Sequence, residues 1–160
     1  MSKVMCYGRE KLRNPYHYTE CGLDDVYLLS GYEEYETPHG PGIAVKEVDG
    51  LHRAIGQHLA THKKVLSGKE LRFLRKQMNL TQSELGVLLG VSDQQIARYE
   101  KGADMPGAAD SLLRALYLES IGNDVKLREL LRQLEEFDAP ISERQEFAEE
   151  GGVWRSKMAA

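Results

Sequence analysis

The chain has 160 residues, 41% of them hydrophobic, and a formal net charge of −4, enough for one real core and a small second unit of a globular protein. No run approaches the roughly 18 apolar residues of a membrane span, and the opening "MSKVMCYGREKLRNP" is charged and proline-interrupted, so a cytoplasmic location is expected. Two cysteines, Cys6 and Cys21, are too few for a disulfide framework and are expected as free thiols.

The charge is unevenly spread. Residues 1–50 hold 5 basic and 9 acidic side chains, residues 51–118 hold 10 and 6, and residues 119–160 hold 6 and 10. A net-positive middle between net-negative ends fits one phosphate-facing module flanked by parts with other tasks.

In chain order, "YHYTEC", "DVYLLSGY", "EYET" and "GIAVKEV" are rich in Tyr, Val, Ile and Thr and predict strands of a small antiparallel sheet or hairpin over the first 50 residues, with "TPHGPG" as a loop. Asp49 offers an N-cap for a linking helix over 51–66, on which Leu51, Ile55, Leu59 and Val65 recur near helical spacing. Ser67 with Glu70 opens the next helix as a capping box, with Leu71, Leu74 and Met78 as its stripe. Thr81 with Glu84 opens another, burying Leu85, Leu88 and Leu89 and stopping at Gly90. Ser92 starts a third, with Gln95 as its box partner and Ile96 and Tyr99 facing inward.

Two short capped helices joined through Gly90 and Val91 must cross steeply, the helix-turn-helix arrangement. With Ile96 and Tyr99 inward, Asp93, Gln94, Gln95 and Arg98 face out. Gln can pair with adenine N6 and N7, Arg with guanine O6 and N7, and Asp with cytosine N4, although Asp93 also suits the helix N-terminus. Thr81, Gln82, Ser83, Lys101 and the helix N-terminal amides are placed to hold phosphates.

Residues 67–103, and "LRKQMNLTQSELGVLLGVSDQQIARYEKG" above all, resemble the Xre (phage-repressor-type) helix-turn-helix family. The resemblance implies that Gln82 touches the DNA backbone and that Ser92, Asp93, Gln94 and Arg98 approach bases. It also implies a compact five-helix bundle over 67–137. Pro106 is expected to start a helix with Leu112, Leu113, Leu116 and Tyr117 inward, and "NDVKLRELLRQLEEF" to follow. Surplus apolar surface at Leu127, Leu130, Leu131 and Leu134 reads as a homodimer seam, which would set two recognition helices about 34–36 Å apart on a pseudo-palindromic double-stranded operator.

The order of parts also resembles MqsA-type antitoxins, which repress their own operon and hold a toxin, but that family's two Cys-x-x-Cys zinc pairs are reduced here to Cys6 and Cys21. Zinc would need His17, His39, His52, His58 or His62 to complete a site, and spacing does not support one, so no metal and no cofactor is expected. No local motif sets a base beside a nucleophile, so no enzyme is expected. "NPYHYTECGLDDVYLLSGY" is the expected place for a partner or ligand, and residues 138–160, with Pro140, an acidic bias and "GG", are expected to be a flexible tail in which Trp154 stands out. The expected fold is α+β: a β-rich N-terminal unit, a linking helix, and an all-α bundle.

Overall fold

The computed structural model describes residues 15–122 and 144–157. Among these the order is β1 (Tyr16–His17), β2 (Val26–Leu28), β3 (Tyr32–Thr37), β4 (Gly40–Val45), α1 (Val48–His62), α2 (Gly68–Gln77), α3 (Gln82–Leu89), α4 (Asp93–Glu100), α5 (Gly107–Ser120), β5 (Gln145–Glu150) and β6 (Val153–Lys157). The fold is α+β, as the sequence predicts.

The strands do not form a simple antiparallel sheet. β3 and β4 make a separate two-stranded ribbon, while the other four run in the order β1-β2-β5-β6. β2 pairs in parallel with β5, Leu28 opposite Phe147, and both outer pairs are antiparallel. The "TPHGPG" loop is tighter than expected, since only Pro38 and His39 lie outside the strands and Pro41 sits in register with Glu36. A two-stranded ribbon tolerates that proline because its N side can face away from the ladder.

Residues 145–157 are a hairpin, correcting the flexible tail expected over 138–160. The "GG" is its turn: Gly151 and Gly152 both have positive φ, at 58° and 82°, the geometry of a two-residue hairpin connection. Trp154 is buried and its indole N–H donates to the Lys46 carbonyl at 3.0 Å. Nothing local announces the partner strand, β2, just before which Asp25 lies 120 residues away from Gln145.

The expected linking helix is central rather than a spacer. α1 packs on β5, β6, α2 and α5, with Leu51, Ile55, Leu59 and Ala60 buried in the same core as Val26, Leu28, Phe147, Leu113 and Tyr117. It begins at Val48, so Asp49 lies in its first turn and is not its cap; Glu47 holds the cap position in left-handed geometry without a side-chain bond. It ends at His62, which leaves Val65 beyond it and exposed.

Arg114 of α5 is fully buried and fastens α1 to the helical bundle. Its guanidinium donates to the carbonyls of Leu59 at 3.2 Å, Lys64 at 3.1 Å and Lys63, and to Asp110 at 2.9 and 3.3 Å. One of these carbonyls, Leu59, lies in the last turn of α1, where C=O groups lack a partner within the helix, and the other two lie just past its end. This displaces the expected stripe of α5: Leu113, Arg114, Tyr117 and Leu118 face inward, and Leu112 is exposed. Leu88 is exposed because the short α3 packs through Leu85 and Gly86 with Leu89 alongside. The helix expected over "NDVKLRELLRQLEEF", with the seam residues Leu127, Leu130, Leu131 and Leu134, lies outside the described residues, as does Cys6.

Candidate nucleic-acid interface

α3 and α4 are each set by their first turn. The Thr81 hydroxyl accepts from the Glu84 N–H at 3.1 Å while Glu84 accepts from the Thr81 N–H at 2.7 Å, a complete capping box. Those bonds to Thr81 also hold the exposed Glu84 carboxyl below its ordinary pKa. Gly90 ends α3 with φ 71°, a left-handed stop that a side chain would strain. Two residues later the Ser92 hydroxyl accepts from the Gln95 N–H at 3.1 Å. The reciprocal bond from Gln95 is missing, so the expected second half of that box is not formed.

α4 buries Ile96 and Tyr99, as its spacing predicts. Asp93, Gln94 and Arg98 are exposed and Gln95 half-buried, with Ser92 exposed at the N-cap. The Asp93 carboxylate accepts from the Gln94 N–H at 2.8 Å, which suits the positive end of the helix. Thr81, Ser83 and Lys101 are also exposed.

Gln82 is placed differently from a free phosphate donor. Its amide is half-buried and donates to Glu100 Oε2 at 2.9 Å, which engages one of its two N–H groups. The same carboxylate takes Arg75 Nε at 2.5 Å and Nη2 at 3.3 Å, while Arg75 Nη1 holds the Leu80 carbonyl at 2.9 Å. Arg75 and Glu100 are almost fully buried, and together they tie α2, the start of α3 and the end of α4 into one frame. Sequence reasoning missed this pair because its members stand 25 residues apart with no motif between them.

The candidate zinc residues are dispersed. Cys21 donates weakly to the Tyr18 carbonyl at 3.7 Å, and burial pushes its thiol pKa up. His52 meets the Tyr18 hydroxyl at 2.9 Å, His17 the Asp24 carbonyl at 2.5 Å, and His58 the Ser156 hydroxyl at 2.9 Å while stacking on His62. Among the described residues no three His, Cys, Asp or Glu side chains come together in a metal-binding group. No helix among them is long and apolar enough to cross a membrane.

Residues 71–112 match the helix-turn-helix family. No curated protein matches the chain, and no solved structure does. The match spans the end-to-end arrangement of α2, α3, α4 and the start of α5 described above, and the chain therefore carries an Xre-type helix-turn-helix domain, the DNA-binding module of that family.

Proposed function

We propose that the protein is a sequence-specific transcriptional repressor that acts from the cytoplasm as a homodimer on a pseudo-palindromic operator and blocks a promoter by occupying it, without catalysis. The supporting observation is α4. Its apolar residues are buried and its amides and guanidinium are held outward on a helix fixed at both ends. Gln94 and Arg98 read base edges, and Ser92, Asp93 and Gln95 complete the face. Thr81, Ser83, Lys101 and the free N–H of Gln82 hold phosphates and set register.

Arg98→Ala is the test. It is expected to cost about 1–3 kcal/mol on the preferred site and relax preference at one base pair per half-site. Equal loss on preferred and random DNA would remove Arg98 from the base-reading role.

The β3–β4 ribbon supports a second reading, an antitoxin that also holds a basic toxin. Glu33, Glu34, Glu36 and Tyr35 are exposed there, with Tyr35 half in solvent, and exposed aromatics within a charged surface suit protein partners. Co-purification of the product of an adjacent gene, lost in a Tyr35→Ala variant, would favour it.

A further inference from the structure

The mixed sheet and the helix-turn-helix domain meet at one buried carboxylate. Glu70, 2% exposed, lies in the first turn of α2, where its Oε2 accepts the Ser67 N–H at 2.8 Å. Its Oε1 accepts from Lys63 Nζ, just past the end of α1, at 3.0 Å and from Gln145 Nε2, at the start of β5, at 3.5 Å. Gln145 also donates at 3.0 Å to Asp25, which precedes β2, and Lys63 lies 3.7 Å from the other Asp25 oxygen. Beside them Lys69 of α2 reaches Asp24 at 2.7 Å.

The same turn of α2 seats the recognition helix. A Cβ on Gly68 would stand 2.3 Å from the Glu100 carbonyl oxygen and 2.8 Å from that of Tyr99, so only glycine lets α2 approach the last turn of α4 this closely. Arg75, two turns on, grips the Glu100 carboxylate. α2 is therefore held by the sheet at the end that supports α4, and a shift at that end is a shift of Gln94 and Arg98.

Gln145 has a feature that stability alone does not explain. Its Oε1 is buried with no hydrogen-bond donor, and an orphaned acceptor is destabilising where an apolar side chain of similar length would not be. Its NH2 group, by contrast, links Asp25, just before β2, to Glu70 of α2. We infer that Lys63, Glu70 and Gln145 are positioning residues for DNA reading, so that the sheet belongs to the unit that sets the recognition helix. The inference rests on the sequence-specific reading proposed above.

The test uses the full chain and the DNA site that the wild-type protein selects from a random pool. Gln145→Met and Lys63→Met are expected to bind that site about tenfold more weakly, with affinity for random DNA within about twofold and an unchanged salt slope, whereas loss of a phosphate contact lowers the slope by about one. Lys63→Arg, which keeps charge and donors, is expected to restore binding. Gln145→Met is expected to melt within about 3 °C of wild type, because removing the orphan offsets the lost bonds. Unchanged affinity in both Met variants, or equal proportional loss on random DNA, overturns the inference. If the wild type selects no site, the DNA-reading proposal fails instead, and the amide chemical shifts of Gln94–Lys101 decide the positioning claim: they are expected to move in Lys63→Met and return in Lys63→Arg, and unmoved shifts overturn it.

Discussion

The α3–α4 pair and the sheet against α1 are held together in opposite ways. In the helix pair the decisive bonds are local: Thr81 with Glu84 and Ser92 with Gln95, each three residues apart. Around the sheet they join distant chain: Ser30 with Glu149 across 119 residues, Trp154 with Lys46 across 108, and His58 with Ser156 across 98. A helix started by its own cap, packed through two inward side chains and gripped at its last turn by Arg75 leaves its outer face free for recognition. A sheet completed from the far end of the chain has less freedom, because Val26, Leu28, Phe147 and Trp154 are needed to close the core.

That contrast fixes where substitutions should be felt. The largest effect is expected at Arg114, whose loss as Arg114→Ala strands Asp110 and three carbonyls at the junction of α1 and α5. Breaking a buried charged network of this kind costs about 3–5 kcal/mol, or a Tm drop of roughly 10 °C for a chain of this size. By comparison Arg98→Ala, exposed on α4, should leave Tm unchanged in the same calorimetric scan; equal drops would erase the distinction between the two regions.

Next comes a pH effect confined to the sheet side. Burial, aided by the charges of His62 and Lys63, pushes the His58 pKa down to about 4 from an ordinary 6.5. The folded state therefore keeps His58 neutral while the unfolded chain takes up a proton below about pH 6.5. The associated stability is fully present above 6.5 and lost as pH falls toward 4, by on the order of 3 kcal/mol. A flatter fall of Tm between pH 7 and pH 4.5 in His58→Gln than in wild type is the expected result, and parallel curves would refute the assignment.

The smallest effect tests the local side. Gly90→Ala meets open space but a φ of 71°, so it is expected to cost about 1–2 kcal/mol through backbone strain alone. Denaturant unfolding should show this loss with an unchanged m value.

The same contrast explains how much could be read from sequence. The three helices opened by caps at Ser67, Thr81 and Ser92, the Gly90 stop and the outward face of Gln94 and Arg98 follow from residues within a few positions of one another, and these are in place. The strands over residues 16–45 were legible one by one, but their pairing was not, since β2 takes its parallel partner from β5. "GG" beside acidic residues reads as flexibility until Phe147 and Trp154 are seen to fill the core under α1. Arg114 gave no signal, because the stripe Leu112, Leu113, Leu116 and Tyr117 leaves it on the outer face, and the carbonyls that satisfy it are in and just after another helix. Arg75 with Glu100 and Gln145 with Glu70 gave no signal at all, because buried polar pairs are defined by geometry rather than pattern.

The measurement that bears most directly on this account is selection of a bound sequence from a random double-stranded DNA pool by the full chain, followed by sequencing. The expected result is one enriched motif with two inverted half-sites centred about 10–10.5 base pairs apart, one helical turn, as a symmetric pair of recognition helices requires. A pool that stays random after repeated rounds would contradict sequence-specific DNA reading by α4.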